Sequence, residues 1–65
     1  MGRRIRELRL EKGLSQEELG RIVGVRRAAV NKWETGQVKN LRRDTIETLS
    51  RFFDVSPSSL IHASD

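Results

Sequence analysis

The 65-residue chain contains no cysteine, so neither a disulfide framework nor a thiolate zinc site can staple it. Its stability must come from helix packing and capping. Two hydrophobic cores cannot be built from so little apolar material, and residues 1–65 are expected to form one domain. No apolar run approaches the roughly 20 residues needed to cross a bilayer. The opening stretch MGRRIRELRL also lacks the long apolar segment of a secretory signal. A soluble intracellular protein is the expectation, and the missing cysteine is consistent with it. Histidine occurs once, at His62, with no second histidine or cysteine to complete a metal or nucleophile constellation. Glu7 with Glu11, and Glu17 with Glu18, stand at ordinary helix-surface spacings, and no glycine-rich loop follows a strand. No enzyme activity, metal, cofactor or small-molecule ligand is therefore expected. What the chain has in surplus is base: 13 Lys plus Arg against 9 Asp plus Glu, a net charge of +4. A polyanionic partner follows as the first expectation.

Apolar residues recur at helical rather than strand spacing, which predicts an all-α fold of five helices. The first runs from about Arg3 to Lys12, with Ile5 and Leu8 inward, and Gly13 supplies a left-handed stop. Ser15 followed by Glu18 is a capping box, so the second helix starts at Gln16 and should bury Leu19, Ile22 and Val23 before Gly24 ends it. The third spans roughly Arg26 to Trp33 or Glu34, with Val30 and Trp33 on its inner face and Gly36 beyond its end. Residues 35–41 read as a polar loop. Ile46, Leu49, Phe52 and Phe53 mark a fourth helix whose start falls between Asn40 and Asp44. Ser56 before Pro57, the chain's one proline, pairs an N-cap with a first-turn proline and opens a short fifth helix carrying Leu60 and Ile61.

Only VGV separates the second and third helices, which forces a sharp turn and a close crossing. Gly20 stands where that contact would fall, a costly residue for a helix interior unless its missing side chain serves the approach. The segment SQEELGRIVGVRRAAVNKWETG resembles the helix-turn-helix of the lambda-repressor-like family of phage repressors, Cro proteins and related XRE-type bacterial regulators. That pattern has an apolar residue at Leu19, Ala or Gly at Gly20, Gly at Gly24, and apolar residues at Val25, Val30 and Trp33. Glu34 and Gly36 match its E-x-G, and FFDVSPSSLI resembles its L-G-V-S-x-x-x-L ending, so the likeness spans nearly the whole chain. Two features depart from the pattern. QVKNLRRDTI has no proline and one extra residue in the loop before helix four, and Arg26 replaces the frequent Ser or Thr of the turn.

The resemblance implies a compact five-helix domain with its helix-turn-helix at helices two and three. It further implies a cytoplasmic, bacterial or phage-encoded regulator of transcription, expected to act as a repressor, that binds a palindromic double-stranded operator as a homodimer. The major groove, about 12 Å wide, admits an α-helix. With Val30 and Trp33 inward, Arg27, Ala28, Asn31 and Lys32 are left to face outward. Arg and Lys suit guanine O6 and N7, and Ala suits a thymine methyl. By the resemblance Arg27, Ala28 and Lys32 read bases, while Asn31 meets adenine or phosphate. Gln16 is implied to place its amide on a phosphate at the positive end of the second helix. Lys39, Asn40, Arg42 and Arg43 are candidates for the DNA backbone, with a solvated run of charge as the equal alternative, and Arg26 is a candidate for the backbone or, alternatively, a base. Arg9 and Glu34 resemble a buried ion pair tying helix one to helix three; the alternative is two exposed charges on separate helices. A rival function of another class, an antitoxin-like or coactivator-type protein-interaction module on the same fold, would keep its partner at high salt and show no preferred operator. The chain fits either a complete Cro-sized regulator or the DNA-binding part of a longer one.

Overall fold

Local signals set where each helix begins and ends. In the computed structural model, which describes residues 2–38 and 40–62, with the side chain of His62 left aside, the order is α1 (Gly2–Glu11), α2 (Gln16–Val23), α3 (Arg27–Glu34), α4 (Arg43–Phe53) and α5 (Pro57–His62). No strand occurs among the described residues. At the start of α2, Glu18 N–H donates to Ser15 Oγ at 3.0 Å and Ser15 N–H donates to Glu18 Oε1 at 2.8 Å. Two main-chain donors that the helix cannot satisfy are met by this box. Gly24 closes α2 in the left-handed region at φ 82°. Ser56 Oγ accepts from Ser59 N–H at 3.1 Å and so caps α5 ahead of Pro57. The fourth helix starts at Arg43, inside the expected window, and ends on Asp54, a non-glycine residue in the left-handed region at φ 57°.

Some boundaries differ from the sequence reading by one residue. α1 runs from Gly2 to Glu11 rather than Arg3 to Lys12, because the N–H of Lys12 is shared between the carbonyls of Leu8 and Arg9 at 3.3 and 3.2 Å. Arg26 is the N-cap of α3 rather than its first residue, held extended at φ −85° and ψ 160° with no side-chain cap. The reading of Ile22 as a core residue is corrected: it is 43% exposed. At about 100° per residue, Leu19, Gly20 and Val23 make one stripe and Ile22 falls to its far side. The stripe is rotated toward Gly20 because α3 packs there.

A Cβ added at Gly20 would lie 2.6 Å from the carbonyl oxygen of Val25, so a larger residue would force the turn to shift away from α2. That turn is latched by Val25 N–H donating to the Gly20 carbonyl at 2.8 Å. Beneath it lies a core of Ile5, Leu8, Leu19, Val30, Trp33, Leu49, Phe53 and Leu60, drawn from all five helices. Of the two C-terminal apolar residues, Leu60 closes this core and Ile61 remains 41% exposed.

Charge also holds α1 against α3. Arg9 donates through Nε to Glu34 Oε2 at 2.7 Å and through Nη2 to Oε1 at 3.0 Å, and its Nη1 reaches the Leu14 carbonyl at 2.8 Å. The two side chains keep only 10% and 3% of their surface. The hydrogen bond that Arg9 donates to Glu34 holds its guanidinium pKa above its ordinary value against the opposing effect of burial. A bidentate pair whose third guanidinium nitrogen is also hydrogen-bonded is the geometry in which a buried ion pair is held firmly.

Two predictions test these contacts. Removing one partner of a buried pair costs about 3 to 5 kcal/mol, so Arg9→Met and Glu34→Gln should each lower the melting temperature by at least about 10 °C. Midpoints near wild type for both would show the pair to be superficial. Gly20→Ala sets a helix-propensity gain of about 1 kcal/mol against overpacking of about 1 to 3 kcal/mol. A lower melting temperature is expected, and a higher one would mean that the turn yields without strain.

Candidate nucleic-acid interface

One face of α3 is sealed and the other is open. Val30 is fully buried and Trp33 7% exposed, while Arg27, Ala28, Asn31 and Lys32 are all exposed. Residues 27 and 31, and 28 and 32, are one helical turn apart, so the four form a single patch. Eight residues make a rod about 12 Å long, comparable to the width of a major groove. Arg26 is exposed at the cap, Ala29 is partly buried at the margin, and the first turn of α3 carries no acidic residue. No carboxylate in that first turn opposes an anion.

The residues expected on the DNA backbone occupy different settings. Arg42 and Arg43 expose 86% and 94% of their side chains, with only loose pairings to Asp44 at 3.8 Å and Glu47 at 3.7 Å. Asn40 is also exposed, and Lys39 lies outside the described residues. Gln16 is half-buried at the first position of α2, and its side chain is not aimed freely at solvent. Its Nε2 donates to Glu34 Oε1 at 3.1 Å and to Asn31 Oδ1 at 3.3 Å. The main-chain N–H of Gln16, in the first turn of a helix, has no i−4 carbonyl within α2. The structure thus brings Arg9, Glu34, Gln16 and Asn31 into one connected cluster, which the sequence analysis had divided between core and surface.

Two further residues line the cleft over this cluster, Arg6 and Thr35. Thr35 also donates through Oγ1 to the Asn31 carbonyl at 2.9 Å, a carbonyl that accepts the Thr35 N–H as well at 3.0 Å. Sequence reasoning passed over both. Arg6 stands three residues before Arg9 on α1, a spacing that signals a shared face, but an arginine in a basic helix carries no further mark. A second concavity lies between α4 and α5, lined by the apolar side chains of Leu41, Ile46, Pro57 and Ile61 with Arg43 and Glu47 at its edge. Among the described residues no group of three or more His, Cys, Asp or Glu is arranged to hold a metal ion, and no helix is long and apolar enough to cross a membrane.

Comparison with known proteins places this geometry. A search of curated protein sequences gives no match. Among solved structures, the chain superimposes on the P22 c2 repressor protein, determined in complex with a synthetic operator, with a TM-score of 0.86 and 31% identity over 94% of this chain and 91% of that one. The helix-turn-helix family model matches residues 5–60. With the capping box, the glycine-closed turn and the open third helix all inside that span, the chain belongs to the helix-turn-helix family shared with phage repressors.

Proposed function

We propose that the protein is a sequence-specific, double-stranded DNA-binding transcriptional regulator that inserts α3 into the major groove. The observation that carries this reading is the patch Arg27, Ala28, Asn31 and Lys32, open on a helix whose opposite side is fixed by Val30, Trp33 and the Arg9–Glu34 pair. Arg27 and Lys32 supply donors for guanine O6 and N7, and Ala28 is small enough for the backbone to approach a thymine methyl. Arg42 and Arg43, exposed at the start of α4, supply phosphate contacts that set the register of the helix in the groove. Repression follows where such an operator overlaps a promoter. A regulator of this kind works in the cytoplasm, on bacterial or phage DNA.

A single module reads few base pairs, so the specific complex is a two-fold dimer on a palindrome whose half-sites lie roughly 34 to 36 Å apart. Ile61, exposed beside the apolar concavity of α4 and α5, supports contact between copies at that end; Leu60, buried in the monomer, is spoken for.

The two kinds of basic residue are expected to fail differently. Arg27→Ala should cost about 1 to 3 kcal/mol on the preferred operator and relax the preference at one base pair, with little change on scrambled duplex; Lys32→Ala should act in the same sense. Titrations of both variants on both duplexes decide the matter, since equal losses would make these residues phosphate contacts. Removing Arg42 or Arg43 should weaken every duplex and reduce the slope of log affinity against log salt by about 1. For assembly, footprinting should reveal two related half-sites, with Ile61→Glu abolishing cooperative occupancy of the second. A footprint over one asymmetric half-site, without cooperativity, rules out the dimer.

A further inference from the structure

The buried carboxylate of Glu34 fixes the direction of two amides in succession. Its Oε1 receives Arg9 Nη2 at 3.0 Å and Gln16 Nε2 at 3.1 Å, and its Oε2 receives Arg9 Nε at 2.7 Å. A carboxylate held by a guanidinium offers only acceptors, so of the two ends of the Gln16 amide only the nitrogen can face it. That nitrogen carries two hydrogens. One goes to Glu34 and the other to Asn31 Oδ1 at 3.3 Å. Asn31 must then turn its oxygen toward α2, and the end it presents on the open face of α3 is Nδ2. The reverse orientation would set two donors against each other at Gln16. A charge sealed in the core therefore sets the polarity of a side chain on the surface.

We propose that Asn31 meets DNA as a single-ended donor, through Nδ2 to one acceptor, with Glu34 and Gln16 as the positioning residues that impose this polarity. The inference rests on the DNA-binding reading above. The two-ended contact of an asparagine with adenine needs a donor to N7 and an acceptor for the 6-amino hydrogen. In Asn31 the acceptor is turned away, engaged with Gln16. The acceptors suited to Nδ2 alone are a phosphate oxygen, or N7, O6 or O4 of a base in the major groove. The role expected of Gln16 changes in consequence. Its side-chain donors are spent inside the protein, and it acts on DNA through Asn31 rather than through its own amide.

The test uses the full chain and an operator selected from a random duplex pool. Wild type, Asn31→Ala, Gln16→Met and the double variant are titrated on that operator, where Met keeps the length of Gln16 without its hydrogen bonds. Asn31→Ala should weaken binding about two- to tenfold in the wild-type background, the range of one hydrogen bond, and less than about twofold once Gln16 is Met. Operators with single methylphosphonate, 7-deazapurine, 6-thioguanine or 4-thiothymine substitutions locate the acceptor, because one such change should weaken wild type and leave Asn31→Ala untouched; a response to a thio-base identifies O6 or O4. A methylphosphonate response identifies phosphate, and a 7-deazapurine response identifies a purine N7. Adenines lacking the 6-amino group should bind wild type and Asn31→Ala with the same ratio as the intact operator. A loss confined to proteins with Asn31 would reveal the two-ended adenine contact and overturn the inference. It is overturned equally if Asn31→Ala costs nothing, or the same in both backgrounds. If wild type prefers no duplex over another, the DNA reading itself fails, a result distinct from any of these.

Discussion

The buried pair between Arg9 and Glu34 is the contact on which the geometry of the interface depends. Glu34 sits at the C-terminal end of α3, where the helix dipole disfavours a negative charge and where its side chain has lost nearly all contact with water. Neither condition is tolerable without a cation held in fixed geometry. Arg9 supplies it through two parallel hydrogen bonds and uses its third to close the loop after α1 at Leu14. The rear of α3 is thereby pinned to α1 at one end while Val30 anchors it to the core. A helix of only eight residues has little intrinsic stability, so its orientation has to be imposed from outside.

The other end of α3 is set by the turn. Gly20 removes the side chain that would meet the Val25 carbonyl, Gly24 takes the left-handed conformation, and Arg26 caps the helix without consuming a side-chain hydrogen bond. Each device is local, yet together they fix the angle at which α3 leaves α2. Small displacements there would carry through the rigid helix to the open patch. The turn is therefore closely constrained, whereas the side chains of Arg27, Ala28 and Lys32 stand exposed on the open face of α3.

What could be read from the chain divides along physical lines. Features determined by residues within one turn of each other were legible: the capping box at Ser15 and Glu18, the stop at Gly24, the Ser56–Pro57 start of α5. The core along α1 and α3 was legible too, since Ile5, Leu8, Val30 and Trp33 leave no choice of face. Ile22 was misplaced because an eight-residue helix with apolar residues at 19, 22 and 23 admits two stripes, and which one is buried depends on where α3 crosses. Leu60 and Ile61 posed the same problem of adjacent apolar residues with one inside. The direction of the Gln16 amide had no local signature, for it is set by a carboxylate 18 residues away. Family resemblance supplied the patch on α3, and periodicity alone would have left it a solvated surface.

The separation of charge across α3 ties these observations together. On α1 and α4 basic residues sit beside acids at helical spacing, as Arg4 does with Glu7 at 3.6 Å and Arg43 with Glu47 at 3.7 Å. Such pairs mute each other at little energetic gain. α3 has one acid, Glu34, and the fold turns it inward to Arg9, so that Arg26, Arg27 and Lys32 have no carboxylate partner among the described residues. The same contact that anchors the helix therefore also clears its outer face of negative charge. A polyanion approaching from that side meets cations and, in the arrangement inferred for Asn31, an amide donor. Had the acid of α3 remained on the surface, it would have competed with DNA for those groups. Burial of Glu34 thus serves stability and electrostatic complementarity at once, which makes this pair the link between the core and the function proposed for the protein.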